Sequence, residues 1–366
     1  MTRSLLFCLL ILIGSQAHGG LLEPSGTPSL ISIVRNRAPL EFCGEAVLLD
    51  DPEVRERAEK ELLLTLWDRP QVILWAKRAN RYLPLIEAMI KEASLPEDLK
   101  YIPLIESALR PDIGSPKGAV GFWQFLPETA QKYGLTVNAM IDERRNVIPS
   151  TGAALRYLKA LYIRFGSWAV AAAAFNMGEE GMAAEILAQG TRSYCDLYLP
   201  LETQRYIFRI LAAKQILSDP SSYGFHFTSQ DLYPPLQFDR IRLDLKVEIP
   251  ILMAAKAAKT TFKKIKDLNP EIRGYYLPPG SHNLTVPRGA AEKFQSRFEE
   301  LLVKWQPNRE NRVYVVQQGD TLSSIADRFR VPLPALLIWN RRNPTRPIYP
   351  GDRLIIAPED PGYQTQ

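Results

Sequence analysis

Histidine and cysteine are scarce in this chain, three of each in 366 residues. His18, His226 and His282 lie far apart, and Cys8, Cys43 and Cys195 form no Cys/His spacing that could hold zinc. A Ser-His-Asp arrangement would have to recruit one of these isolated histidines. No metal and no cofactor is therefore expected. No Lys/Arg run is interleaved with aromatic residues, so nucleic acid is not the expected partner. Apolar runs are short as well. The longest, "LLFCLLILI" at 5–13, falls well below the roughly 20 residues that cross a bilayer. It follows Arg3 and precedes "GSQAHG", where Ser15 and Ala17 are small, which is the layout of a secretory signal peptide over residues 1–17. Cys8 sits inside the run after Phe7, without small residues before it, so a lipid-anchored cysteine is not expected there. Cleavage after Ala17 would leave Cys43 and Cys195 in an oxidising compartment. They would either form a disulfide or remain two separate buried thiols.

The rest of the composition is that of a soluble globular chain, 46% hydrophobic and 23% charged, long enough for two or three domains. The net charge of +5 and a pI near 9.0 suit an acidic polymer without selecting one. Between 51 and 217 the pattern is helical almost throughout. "DPEVRERAEKELLLTLW" opens on an Asp-Pro start, "STGAALRYLKALYIRF" on a Ser/Thr cap, and Gly166 separates the latter from "SWAVAAAAFNMG". "NRYLPLIEAMIKEASLPEDLKYIPLIESAL" reads as two helices split at Ser94-Leu95-Pro96, and "PLETQRYIFRILAAKQIL" closes the set. No alternating strand pattern appears, so 18–217 is expected to be all-α. A Ser-, Pro- and aromatic-rich stretch at 218–239 reads as a linker or a meandering loop.

Beyond it lies an internal repeat. At an offset of 71 residues, without a gap, Ile251 falls on Leu322, Ala255 on Ala326, Ile265 on Leu336 and Asn269 on Asn340. "LPPGSHNLTVP" then falls on "IYPGDRLIIAP". The second copy reads strand, helix, helix, strand, with the turn "GDTL" in which Thr321 can cap a helix. Residues 313–358 resemble a LysM domain, a βααβ module for polymers that contain N-acetylglucosamine. The resemblance implies a groove between Asp320, Thr321 and Leu322 on one side and Ile348, Tyr349 and Pro350 on the other. Residues 240–287 read as a degenerate copy with its groove in doubt, and 288–312 as a helical linker.

One carboxylate stands out. Placed on a helix, Leu99, Ile102, Ile105 and Leu109 form an apolar arc, and Glu106 falls inside it. Burial among apolar side chains raises a carboxyl pKa, the property wanted in a general acid near neutral pH. Pro103 is expected to bend this helix and Pro111 to stop it. The following "GSPKGAVGFWQF" offers a hydroxyl (Ser115), three glycines, an aromatic surface (Phe122, Trp123) and an amide (Gln124), groups suited to amino sugars. Glu106-Ser107, the run Ser115 to Gln124, "AAFNMG" and "LPLETQRYI", in this order, resemble the lytic murein transglycosylases, which have a goose-lysozyme-like catalytic fold. The resulting fold class is multidomain: an all-α lysozyme-like domain followed by small α+β modules.

The resemblance implies peptidoglycan as substrate, cleavage between N-acetylmuramic acid and N-acetylglucosamine, and Glu106 as the single acid/base. It implies that Ser115, Gln124, Asn176 and Tyr206 contact the sugar or the acid. Glycosidases usually carry a second carboxylate. None with a comparable motif is found here: Asp112 lies in the adjacent loop, and Asp142 and Glu143 sit in a charged "DERRN" that reads as solvated or as a structural ion pair. Two departures from the family pattern are Phe175, where a tyrosine is usual before the motif asparagine, and the missing lipoprotein cysteine.

Overall fold

The computed structural model describes residues 28–35, 39–305, 313–343 and 345–356. The expected signal peptide and part of the expected 288–312 linker lie outside them. In chain order the first region runs α1 (Leu30–Arg35), β1 (Leu40–Phe42), β2 (Glu45–Val47), α2 (Pro52–Trp67), α3 (Arg69–Glu92), a 3-10 turn (Glu97–Tyr101), α4 (Ile102–Ser107), α5 (Pro127–Lys132), a 3-10 turn (Glu143–Arg145), α6 (Val147–Phe165), α7 (Trp168–Met177), α8 (Glu179–Gln189) and α9 (Leu201–Ser218). Local chemistry sets the ends. Asp51 caps α2 by accepting from the Glu53 and Val54 N–H groups, with Pro52 in the first turn. Gly166 closes α6 in the left-handed conformation. One continuous apolar core joins these helices, with Ile86, Leu99, Ile102, Trp123, Leu158 and Ile210 fully enclosed.

The first region is not purely helical. The hairpin β1–β2 pairs Leu40 with Val47, and three-residue strands are too short for alternation to show in the sequence. The hairpin has a structural task. Glu45 accepts hydrogen bonds from Ser167 Oγ at 2.7 Å and from the Trp168 and Ala169 N–H groups, which caps α7.

Residues 218–239 are strapped to α3 rather than free: the Leu236 N–H donates to the Arg81 carbonyl, Asn80 Nδ2 donates to the Tyr233 carbonyl, and Phe225 is buried. The chain then forms β3 (Phe238–Leu245), β4 (Ile249–Pro250), α10 (Ile251–Ala257), α11 (Phe262–Leu268), β5 (Tyr276–Leu277), β6 (Gly280–Pro287) and α12 (Phe294–Trp305). β3 pairs antiparallel with β6 and β4 with β5. α12 is no mere linker, because Phe294 and Phe298 enter the same core as α10 and α11. Last come β7 (Val313–Val315), α13 (Leu322–Arg328), α14 (Leu333–Asn340) and β8 (Arg353–Ile355), around a small core of Val316, Ile325, Ala326, Leu336 and Leu354.

The two modules correspond, with one correction to the ungapped alignment. Helix starts Ile251 and Leu322 are 71 residues apart, as are Phe262 and Leu333. Asn269 exchanges two hydrogen bonds with the Thr285 backbone, 16 residues on, whereas Asn340 does so with Ile355, 15 residues on. The first module therefore holds one extra residue before its closing strand.

Candidate active site and glycan site

Glu106 lies on α4, a helix of six residues. The expected single helix over 96–109 is instead a 3-10 turn followed by this short helix, with Pro103 in its first turn rather than at a bend. It ends before Pro111 because Ala108 and Leu109 both turn left-handed. The apolar arc survives the change, since Leu99, Ile102 and Leu109 are fully enclosed and Ile105 nearly so. Glu106 itself is half-buried. Burial pushes its carboxyl up to about 7, against the opposing pull of a hydrogen bond from Tyr206 and of the Arg209 charge. Tyr206, buried on α9, donates that bond directly to Glu106 Oε1.

The loop after α4 is bound back to it. Ser107 Oγ donates to the Phe122 carbonyl at 2.8 Å, and Gln124 Nε2 donates to the Gly121 and Ile113 carbonyls at 2.8 and 3.2 Å. Gly121 has φ +83, and a Cβ there would lie 2.0 Å from the Arg144 carbonyl oxygen, so no side chain fits. This turn sends Phe122 and Trp123 inward. Both are core residues, Trp123 fully buried with its indole N–H on Thr151 Oγ1 at 3.0 Å, so neither offers the aromatic sugar surface expected from the sequence.

The other expected residues are distributed unevenly. Asn176 joins the Tyr206 helix through Thr203, whose hydroxyl donates to Asn176 Oδ1 at 2.9 Å one turn before Tyr206. Gln124 spends its amide N–H groups on its own loop. Ser115 accepts from the Ala119 N–H at 3.1 Å and closes a turn; it makes no hydrogen bond to Glu106. Phe175 packs edge-on against Trp123 and Phe125. Asp112 pairs with Arg110 at the surface.

Arg144 was not singled out in the sequence. It is buried, forks onto Asp142 at 2.8 and 2.9 Å, and donates to the Gly118 and Phe125 carbonyls at 2.9 and 3.0 Å. "DERRN" is thus a structural ion pair at Asp142, and it clamps the loop that carries Gln124. The signal in the sequence was only the pair of charges, since the carbonyls it serves lie about twenty residues upstream.

Cys43 and Cys195 are both free thiols. Cys43 occupies the β1–β2 turn with its N–H on Asp98, while Cys195 presents its carbonyl to Arg57. Each is held by its own neighbours, so the disulfide alternative is not realised. Among the described residues no group of His, Cys, Asp and Glu could hold a metal ion, and no helix is long and apolar enough to cross a membrane.

In the second module Asp320 accepts from Tyr314 Oη and the Gln317 N–H, both at 2.7 Å, and Thr321 forms a capping box with Ser324. Their side chains serve the fold. Leu322, Tyr349 and Pro350 remain at least partly open to solvent, Tyr349 at 64%. In the first module the corresponding segments are zipped together: Ile249 pairs with Leu277 and Pro250 with Tyr276, all buried.

Comparison with known proteins agrees with this arrangement. Residues 84–196 match the transglycosylase SLT domain family, and residues 314–357 match the LysM domain family. The chain is 30% identical over 333 residues to the membrane-bound lytic murein transglycosylase D of Escherichia coli K12, covering 86% of this chain and 72% of that one. The protein of the same name from Escherichia coli O6:H1 matches equally. The protein belongs to the family of membrane-bound lytic murein transglycosylase D: it is a lytic transglycosylase with a mostly helical catalytic domain and a LysM domain for peptidoglycan.

Proposed function

We propose that the protein cleaves the β-1,4 bond between N-acetylmuramic acid and N-acetylglucosamine and leaves 1,6-anhydro ends, with Glu106 as the only acid/base. The observation that supports this reading is a half-buried carboxyl raised to about 7 and held by a buried tyrosine. A group poised there is populated in both protonation states near neutral pH, as both halves of the reaction require. In the first half Glu106 gives its proton to the glycosidic oxygen as the C1–O bond breaks. The acetamido group of the muramyl sugar covers C1 in place of a second carboxylate. In the second half the Glu106 carboxylate takes the proton from the C6 hydroxyl, whose oxygen closes onto C1. No water is consumed, and the enzyme returns to its starting protonation state.

Tyr206 stabilises the carboxylate between the two halves by donating to Oε1, which leaves Oε2 for the sugar. Gln124 and Asn176 keep an amide oxygen and an amide NH2 respectively for the sugar, while Ser115 shapes the loop. The open LysM module would hold the glycan through Leu322, Tyr349 and Pro350. Because the polymer lies outside the cytoplasmic membrane, the leader at residues 1–17 would direct export to the periplasm. The N-terminal mass of the protein recovered from a periplasmic fraction checks that step.

Digestion of purified sacculi with wild type and Glu106→Gln, followed by product mass analysis, tests the chemistry. Anhydro ends that fall by roughly 10²–10⁴-fold in the variant are expected. Reducing ends would replace this reading by a hydrolytic muramidase. No released sugar from wild type would leave a wall-binding protein without activity.

A further inference from the structure

A cavity lies where the first module meets the catalytic domain. Two backbone hydrogen bonds form an antiparallel bridge of Ile141 with Ile272 at that junction: the Asp142 N–H donates to the Glu271 carbonyl and the Arg273 N–H to the Met140 carbonyl, each at 2.8 Å. Beside them is an open cavity of about 340 Å³, with Glu143 and Asn146 from the catalytic domain and Arg240, Glu271, Ser281 and His282 from the module in its walls. The module contributes residues 277–284, the loop before its closing strand and the first half of that strand.

The charges in this cavity are not all neutralised within the protein. Glu271 is only 8% exposed; its carboxyl has a hydrogen bond with Asn146 and the Lys266 charge nearby, but its Oε2 has no hydrogen-bond partner. The Arg240 guanidinium makes no ion pair or hydrogen bond among the described residues, while His282 is turned to the Pro278 carbonyl. Glu143 uses one carboxylate oxygen on the Thr136 N–H. Apart from His282 no aromatic ring lines the space, so a sugar would find no face to stack on. Two carboxyls and an unpaired guanidinium instead match a ligand bearing both an ammonium and a carboxylate.

We propose that this junction cavity binds a zwitterionic peptide end of the kind carried by the peptide stems of peptidoglycan, with the ligand carboxylate on Arg240 and its ammonium against Glu143 and Glu271. This rests on peptidoglycan being the substrate. The site would let the enzyme read the peptide at a place separate from Glu106, so that strands bearing free stem ends are held across the catalytic domain and the first module. Lys266, whose charge acts on Glu271 from α11, donates its hydrogen bonds to the Ile272 and Gly274 carbonyls and not to that carboxyl.

The test is calorimetric titration of the full chain with the free stem tripeptide alanyl-γ-glutamyl-diaminopimelate, which has no glycosidic bond to cleave. One saturable site is expected. Arg240→Ala, an exposed and structurally idle position, should weaken it about tenfold, as should N-acetylation of the peptide amines. Glu271→Gln should weaken it too, with its melting profile recorded to confirm folding. Binding that is indifferent to Arg240→Ala and to N-acetylation, or that is displaced by N-acetylglucosamine oligomers, overturns the proposal. So does failure to bind at millimolar peptide. The reading of Glu106 is judged separately, because Glu106→Gln should keep the peptide site and Arg240→Ala should keep the sacculus-cleaving chemistry.

Discussion

The two modules share one plan and differ in how their facing segments are joined. Both place two short helices between paired strands, and both fix the closing strand with a buried or half-buried asparagine that bonds its backbone twice. In the second, no ladder joins Asp320, Thr321 and Leu322 to Ile348, Tyr349 and Pro350 among the described residues. In the first, Ile249, Pro250 and Ile251 stand opposite Tyr276 and Leu277 and are hydrogen-bonded into a two-residue ladder. Buried apolar residues join the two segments there, and the module packs on the catalytic domain through the bridge between Ile141 and Ile272. The same polypeptide frame leaves these segments unpaired and partly open in one module, and joins them through buried apolar residues in the other.

Truncation gives the largest contrast. A chain ending at 305 should stay folded and soluble, since the second module has its own small core. A chain ending at 237 would uncover Ile141, which lies in the first module's core, and should lose most of its soluble yield. Size-exclusion chromatography of both decides it, and an equally soluble shorter chain would show that the first module is dispensable. Next in size come the two asparagines. Asn269 is fully buried, so Asn269→Ala strands a backbone N–H and a carbonyl and should cost about 2–4 kcal/mol. Asn340 is half-buried, and Asn340→Ala should cost about half as much and melt only the terminal module. Calorimetric melts of the two variants separate a catalytic-domain effect from a local one.

Legibility in the sequence followed the range of the interactions. Glu106 was visible because a carboxylate inside an apolar helical arc breaks a local pattern, and the arc held even though the helix divided in two. The repeat was visible because helix faces repeat locally, but the extra residue before β6 only shows once Asn269 is seen to reach Thr285. Arg144 could not be read, because its task is to serve carbonyls supplied by a distant loop. Trp123 and Phe122 were misplaced for a related reason: whether a ring faces a cleft or the core depends on the left-handed turn at Gly121, set by contact with Arg144. The hairpin 40–47 was too short to announce itself.

A smaller effect separates the two grooves. Tyr349 is exposed on the open lip, and its counterpart in the first module is Pro278, beside the closed ladder. Tyr349→Ala should lower sacculus binding about tenfold, because exposed aromatic anchors carry much of the affinity at such surfaces. Pro278→Ala should leave binding unchanged. Co-sedimentation with sacculi, using a Glu106→Gln background to prevent digestion, measures both. Equal losses would mean that the first module still holds glycan.

The smallest contrast is one of pH, and it comes from another pair of equivalent positions. Glu271 in the first module corresponds to Arg342 in the second, where the side chain pairs with Asp352 at 2.6 Å. Burial raises the Glu271 carboxyl to about 7, above its ordinary value of 4.5. The folded junction thus prefers the protonated form. Its contribution is fully present below pH 4.5 and is lost as the pH rises through 7. Between pH 6 and 8 the loss should amount to about 1 kcal/mol, read as a lower melting temperature of the main transition. Glu106 is raised in the same direction and adds its own loss over the same interval, so the two must be removed one at a time. Glu271→Gln should flatten part of the slope and Glu106→Gln another part, while the melt of the second module keeps its own profile in both. If Glu271→Gln left the slope of the main transition unchanged, the junction would not be held by a protonated carboxyl, and it would rest on its apolar contacts and backbone bridge alone.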